Sequence, residues 1–429
     1  MLSRIACSFV FTSCQHCGAT KGAGSAASAS RVRVDYMTSV PQKNIMKITY
    51  KYRIYPTHLQ ATKLEGWFEV LRRLYNFSLQ DRIAAYKEHE KTLSCYDQQK
   101  HLTVSRTMYP ELRAIPVGLA RGMLGNLDLA YKAFFRRCKN GDKEKGFARF
   151  KKFGEVSSLV DRDAKGRKWM RNGKLSLPKF GLVKMIYHRP LPEDFVIAMV
   201  VVRRVAGKWY VSLAGDDGLV VPDNGGYVNA VGLDVGLTHL VVTSDGEVIA
   251  PPKYYRKAEA KLAKLQQHLS RKKKGSANGR KAKLKVARAH HDVANARGNF
   301  IHELSRRLVD EYDLIAVEDR IAKALMQKDG GNGRQSRTMH KGIADAGWGQ
   351  LAWILEYKCE RAGKIFIAVP ARGTTQECSG CGAIVPKTLR DRQHICPECG
   401  LNIDRDLNAA INIRDRGVEL YDRAVAVQI

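Results

Sequence analysis

What the sequence lacks narrows its function first. No run of 18 or more apolar residues occurs, so no segment is expected to cross a membrane as a helix. Acid is scarce: 42 Asp and Glu stand against 73 Lys and Arg, a net charge of +31. A charge that large repels itself unless a polyanion neutralises it. Because basic residues occur almost throughout, the expected partner is a long nucleic acid rather than a membrane surface or a small-molecule substrate. The 44% apolar content at 429 residues is too high for a ribosomal or histone-like chain and calls for two or more folded domains. A disulfide framework is also missing, since four of the ten cysteines form one spaced cluster and the other six are scattered. The first twenty residues carry Arg4 and only a short apolar patch, Phe9-Val-Phe11, which makes a poor secretory signal. A reducing, bacterial cytoplasmic setting beside the nucleoid is the expectation.

Residues 1–45 differ from the rest. The small-residue stretch Gly22–Ser30 is low in complexity, and Cys14-Gln-His-Cys17 has the form of half a zinc knuckle with no second pair following. A disordered extension is expected there, with Met37 or Met46 as alternative starts. From Met46 to Tyr55 the chain alternates as a strand closed by Pro56, and helices are predicted over 61–88 and 116–138. Residues 174–215 read as short strands of a small barrel joined by tight turns. A second half opens at Ala230 with a strand to Thr243, a turn at Ser244-Asp-Gly246 and a strand at 247–250. Two helices over 254–310 flank a basic loop, followed by a strand at 313–318, a helix at 344–362, a strand at 364–370 and a last helix at 406–414. Strands alternating with helices make the fold class α/β and multi-domain.

Two groups of residues carry chemistry. Cys378-x-x-Cys381 and Cys396-x-x-Cys399 stand 14 residues apart, each pair followed by glycine (Gly382, Gly400). Four thiolates at that spacing close a tetrahedral, structural zinc site and leave no ligand position for His394. The second group is Asp234, Glu318 and Asp406, acids at the ends of predicted elements. A carboxylate inside an apolar strand is costly unless paired or bound to metal, and hard oxygen ligands suit magnesium or manganese. Taken singly, each has a plainer role: Asp234 at a turn, Glu318 paired with a lysine, Asp406 as a helix cap. Candidate phosphate contacts are Arg136, Arg137, Arg149, Lys151 and Lys152, and in the basic loop Arg271, Lys272, Lys273, Lys274, Arg280 and Lys281. Phe134, Phe135, Phe147 and Phe150 interleave with the first set as packing or stacking groups, with packing the preferred role.

A series of short motifs runs along the chain: Thr49-Tyr-Lys-Tyr-Arg-Ile-Tyr-Pro56, Leu74-Tyr-Asn76, Phe134-Phe-Arg-Arg137 with Gly146-Phe-Ala-Arg-Phe-Lys151, Leu177-Pro-Lys-Phe-Gly181 and Gly207-Lys-Trp-Tyr-Val211. Farther on come Gly232-Leu-Asp-Val-Gly236, Val317-Glu-Asp319, Ile343-Ala-Asp-Ala-Gly-Trp348, the four cysteines and Asp404-Arg-Asp-Leu-Asn-Ala-Ala-Ile-Asn-Ile413. In these motifs and their order the sequence resembles, from about Met46 to Arg414, the TnpB (OrfB) family of insertion sequences, relatives of the type V CRISPR effector nucleases. Ala148 departs from the family's usual proline, and residues 1–45 have no counterpart.

The resemblance implies an RNase H-like RuvC nuclease fold over 223–373 with a helical hairpin inserted at 254–310. A zinc ribbon follows at 374–402, a final RuvC motif at 403–416 and a tail at 417–429. Ahead of these it implies a helical recognition domain at 59–140 and an OB-like β-barrel wedge domain, its first strand at 46–58 and the remainder at 141–222. It places Asp234, Glu318 and Asp406 in the three catalytic positions, with Asp406 preferred to Asp404 because it directly precedes Leu-Asn-Ala-Ala. The implied activity is cleavage of double-stranded DNA beside a short flanking motif, guided by an RNA from the transposon's end. The alternative is a transposase or an accessory DNA-binding protein, for which no separate joining chemistry is visible. A non-cutting binder would have lost an acid of the triad, and none is lost.

Overall fold

The computed structural model describes residues 47–142, 144–222, 225–319, 346–388 and 391–426. The extension at 1–45 with Cys14 and Cys17, and the family residues Ile343-Ala-Asp345, lie outside the described residues.

The amino-terminal half folds helices against one antiparallel sheet. Pro56, which cannot donate to a ladder, ends β1 (Lys47–Tyr55). Thr57 then starts α1 (His58–His89) by a capping box with Gln60, each side chain bonding the other's backbone N–H. Helices α2 (Cys95–Met108) and α3 (Pro110–Arg113), which hydrophobic spacing did not signal, precede α4 (Val117–Lys139). Six strands follow: β2 (Ser158–Asp161), β3 (Met170–Arg171), β4 (Lys174–Leu177), β5 (Gly181–Met185), β6 (Val196–Val205) and β7 (Lys208–Asp216). They join β1 in the order β2-β6-β7-β1-β5-β4-β3, with β1 paired along its length to β7. The hydrogen-bonded order runs from β2 at one end to β3 at the other, with the two ends not hydrogen-bonded to each other. One continuous core joins Leu64, Leu71 and Leu79 of α1, Leu124 and Leu127 of α4, and Tyr52, Val211 and Leu213 of the sheet. The helices and the strands of this half therefore share one core.

The carboxyl-terminal half is a three-layer α/β/α unit. Its strands are β8 (Ala230–Val235), β9 (Val241–Thr243), β10 (Val248–Ile249), β11 (Leu314–Glu318) and β12 (Ile365–Val369), in the order β10-β9-β8-β11-β12. The strand predicted to run from 230 to 243 breaks at Gly236–Leu240, and its two parts turn back and pair with each other. Strands β8, β11 and β12 are parallel, and β9 and β10 extend the sheet antiparallel. The helices are α5 (Tyr254–Ser270), α6 (Ala277–Glu311), α7 (Trp348–Ala362) and α8 (Arg405–Ala426). Residues 417–426, assigned to a tail in the sequence reading, are the last turns of α8.

The two faces of this sheet are covered differently. Val231, Leu233, Val235, Ile315 and Val317 pack against Ile301, Leu304 and Leu308 of α6 and Leu351, Ile354 and Leu355 of α7. The second half of α6 is thus a layer of the core, whereas the sequence reading assigned it to an inserted hairpin. On the other face Leu314, Ala316, Ile367 and Val369 pack against Ile413 of α8. Both faces being covered, β11 is buried at all five positions and shows no alternation. Two glycines let α8 approach closely. A Cβ on Gly232 would run into the Ala410 carbonyl and the Arg414 backbone, and one on Gly417 would meet the Ala316 side chain 2.5 Å away. Gly232→Ala is expected to destabilise the protein by about 2 kcal/mol, because backbone cannot give way as a side chain can. Chemical unfolding of the full chain checks this; wild-type stability would mean α8 is not seated as described.

Candidate functional site

The pairing of β8 with β11 sets the first part of the site. Leu233 is level with Val317 in this parallel pair, so the next residues, Asp234 and Glu318, stand side by side at the carboxyl ends of both strands. They face the same side of the sheet as Gly232 and Ala316, the α8 side, and are 6% and 5% exposed. From β8 the chain turns back to β9 and β10 on one side, and then crosses over through α5 and α6 to β11 on the other. Asp234 and Glu318 therefore flank a topological switch point, where open α/β sheets place their ligands.

Helix α8 brings the third acid. Asp406, Ala410, Ile413 and Gly417 recur at helical spacing and form the stripe that lies on the sheet, with Asp406 at its upper end. Asp404 does different work: its Oδ1 accepts the N–H groups of Asp406 (2.8 Å) and Leu407 (3.2 Å), which makes it the cap of α8. The carboxylate of Asp406 accepts from Arg405 Nη2 at 3.0 Å, and its other oxygen lies 3.6 Å from His239 Nδ1. The Thr374 hydroxyl donates to Glu318 Oε1. Among the described residues, the four cysteines are the only group of His, Cys, Asp or Glu whose ligand atoms all lie within 4.8 Å of one another. The three carboxylates are not gathered so tightly.

Sequence reasoning did not single out His239 or Thr374. His239 lies in the loop that breaks the strand after Asp234, and a strand predicted unbroken to Thr243 hides it. Thr374 lies four residues before Cys378, where only tertiary packing brings it to Glu318.

The cysteine group is built from two matching knuckles. In each, the first cysteine's N–H donates to a carbonyl five residues on (Cys378 to Ala383, 2.9 Å; Cys396 to Leu401, 2.9 Å), and the glycine N–H returns to the first cysteine's carbonyl (2.8 and 3.0 Å). Gly382 and Gly400 take φ of +76° and +74°, which a side chain would strain. The sulfurs of Cys378 and Cys399 are 3.6 Å apart, as are those of Cys381 and Cys396. A zinc ion with bonds of about 2.3 Å sets tetrahedral edges of roughly 3.8 Å, so the four thiols fit that ion. Backbone N–H groups of Cys399 and Glu398 hold the Cys396 thiol down to about 7, while sulfur–sulfur contacts push Cys381 and Cys399 up. His394 is buried and pairs with Lys387, outside the thiol set. The hairpin of β13 (Gln393–Ile395) and β14 (Asn402–Asp404) leads from the second knuckle into α8. The first knuckle is clamped to α8 by side-chain amides: Asn408 bonds Ser379 N–H and the Glu377 carbonyl, and Asn412 bonds the Glu377 and Thr374 carbonyls. Cys95, Cys138 and Cys359 stand apart as free thiols.

The basic candidates divide. Arg271, Lys273 and Lys274 lie exposed between α5 and α6, with Lys272 half-buried, while Arg280 and Lys281 belong to the first turns of α6 rather than to the loop. Arg137 is half-buried and holds the chain by bonding the carbonyls of Lys145 and Gly146. Arg136, Arg149 and Lys152 are exposed. Lys151 is half-buried, its ammonium 5.5 Å from the Tyr75 ring centroid. Phe134, Phe135 and Phe147 pack on one another and on Tyr131.

A mixed α/β protein with four cysteines grouped as a metal could bind them and an overwhelmingly basic chain is a nucleic-acid-handling protein in class. Family models match three segments: one described as "Probable transposase" (OrfB, IS605 type) at residues 225–329, "Cas12f1-like, TNB domain" at 348–413 and "Helix-turn-helix domain" at 46–91. The last segment forms one strand and one helix here, β1 and α1. The chain is 35% identical over 382 residues to a "Putative RNA-guided DNA endonuclease" of Streptomyces pristinaespiralis, spanning 87% of this chain and 90% of the relative. It is 33% identical over 383 residues to "Putative RNA-guided DNA endonuclease InsQ" of Escherichia coli (strain K12), spanning 86% and 92%. Among solved structures, the mini-RNA-guided endonuclease CRISPR-Cas_phi3 aligns over 87% of this chain and 92% of its own at 10% identity, with a TM-score of 0.49. The chain belongs to the TnpB (OrfB) family of insertion-sequence proteins.

Metal analysis of the purified protein is expected to find about one zinc per chain. Cys378→Ser is expected to remove it, and Gly400→Ala to cost about 1 kcal/mol of stability while keeping the metal. A zinc-free native protein contradicts the site, and two zincs would bring Cys14 and Cys17 into play.

Proposed function

We propose that this chain is an RNA-guided DNA endonuclease whose RuvC-type site is built from Asp234, Glu318 and Asp406. The observation that carries the nuclease reading is the level pairing of Asp234 and Glu318 at the switch point, beneath the helix stripe headed by Asp406. Two buried acids side by side are costly to hold charged, and oxygen ligands of this kind suit a divalent cation. Magnesium or manganese, when bound, polarises a phosphodiester and stabilises the attacking and leaving oxygens. Asp234 and Glu318 hold their carboxylates on strands and Asp406 on a capped helix, rigid supports suited to a metal site. Thr374 fixes the orientation of Glu318, and Asn412 fixes Thr374. The cysteine knuckles then act as a zinc ribbon that seats α8, not as a second reactive centre.

In this reading residues 223–373 and 403–416 are the RuvC nuclease and 374–402 the ribbon. Residues 59–140 are a helical recognition unit, and 46–58 with 141–222 the OB-like wedge. Guide RNA and target DNA are the partners, as the names of both relatives suggest. The family description also keeps the word transposase, and the cleavage assay separates the two activities by its product: free ends for an endonuclease, joined strands for a transposase.

Asp234→Ala, Glu318→Ala and Asp406→Ala are each expected to lower cleavage to background while guide and target binding persist. Asp404→Ala should cost about 1 kcal/mol of stability and retain cutting. An active Asp406→Ala protein with an inactive Asp404→Ala protein would reverse the third assignment. Thr374→Val is expected to raise the manganese concentration needed for half-maximal cleavage by about tenfold, with Thr374→Ser restoring it. An unchanged metal titration in Thr374→Val would show that the hydroxyl does not position Glu318.

A further inference from the structure

We propose that a cleft between α1 and the extended segment 144–152 is a binding site for one unstacked nucleobase. Arg73, Asn76, Phe77 and Gln80 recur at helical spacing on the solvent side of α1, opposite the buried Leu71, Tyr75 and Leu79. Phe150 faces them across a cavity of about 290 Å³ whose walls are completed by Arg72. That open depression is wide enough for a base and too small for a duplex.

Two features mark this as a made site and not a gap. The segment is clamped to the helix by a bond pair that imitates a strand partner. Asn76 Nδ2 donates to the Lys151 carbonyl at 2.9 Å, and Lys151 N–H donates to Asn76 Oδ1 at 2.8 Å. Arg72 Nη1 adds a second bond to the same carbonyl at 3.0 Å, its own direction set by Glu69. Phe150 is thereby held one residue from a fixed point, yet it is 51% exposed and Phe77 is 65% exposed. Phe134, Phe135 and Phe147 close by are absorbed in an aromatic cluster, whereas Phe77 and Phe150 carry no ring partner among the described residues. Two phenylalanines open to water on a strongly basic protein match a ligand with flat apolar faces and anionic links. Exposed Arg149 and Lys152 flank Phe150 and Lys151 in sequence, Arg73 lines the cleft while pairing with Glu111 at 3.5 Å, and Gln80 offers an amide to a base edge. An RNA strand and a DNA strand present the same chemistry, so the source is left to the experiment.

The test uses the full chain with its co-purifying RNA and a target DNA duplex. Either strand carries photoreactive 4-thio bases, and adducts are mapped on the protein. An adduct at Phe77 or Phe150 from the RNA assigns the base to the guide; one from the DNA assigns it to the target. Phe77→Ala with Phe150→Ala is expected to weaken binding of that strand by about five- to a hundredfold, as loss of one stacked base does. Phe150→Trp should restore it, and the salt dependence should stay unchanged because phosphate contacts are kept. Both side chains being exposed, thermal unfolding of the variants should match wild type. Absence of adducts from both strands, together with wild-type affinity in the double variant, overturns the proposal. A drop in affinity that Phe150→Trp does not restore also contradicts it.

Discussion

The distance at which α8 lies on β8 and β11 governs the carboxyl-terminal half. Gly232 and Gly417 leave out the side chains that would hold the helix away, and Ala316 and Ala410 keep the seam shallow. Because the helix is seated there, its first turn lies over the ends of the two parallel strands, and Asp406 comes above Asp234 and Glu318. The seat also fixes the thiol cluster, since Asn408 and Asn412 on α8 bond the backbone that carries Cys378 and Thr374. A chain of short contacts thus runs from the thiol cluster to a buried carboxylate, through the Asn412 amide, the Thr374 carbonyl and the Thr374 hydroxyl. In our reading the ribbon's contribution to catalysis is to keep the catalytic acids in place.

The amino-terminal half solves another problem. Its core binds helices and sheet into one body, and its outer surface displays cations and a few uncovered aromatic rings. Charge of this magnitude gives affinity for any polyanion and drives association, but phosphate contacts carry no sequence information. In our reading, specificity comes from base pairing with a guide RNA, the activity for which both relatives are named. The protein then has to hold strands, expose bases and cut.

Much of this was legible from the residues. The knuckle spacing, the apolar run ending in Glu318 and the helix stripe after Asp406 each express a local rule, and local rules survive without tertiary information. Spacing alone offered Asp406 as the helix cap, a role the structure gives to Asp404. Other features were not legible because they depend on distant partners. The strand starting at Ala230 breaks at Gly236 although Leu240 to Thr243 continue its β-favouring texture, because the second part must turn back to pair with the first. Helices α2 and α3 carry few apolar residues at regular spacing and are held by the core beneath them. The shared core of strands and helices in the first half cannot be inferred from a boundary drawn where composition changes. Thr374 and His239 reach the acids only through the fold.

The central claim is that bound RNA, not protein side chains, chooses where this active site cuts. It is tested most directly by expressing the chain with its native flanking DNA, purifying the complex and replacing the guide end of its RNA. Plasmids carrying the old or the new complementary site beside randomised flanking sequence are then offered for cleavage. The account predicts that cutting moves to the new site, needs Asp234, Glu318 and Asp406, and stops when the RNA is digested. Sequence-specific cutting that stays at the old site, or persists without RNA, would contradict it.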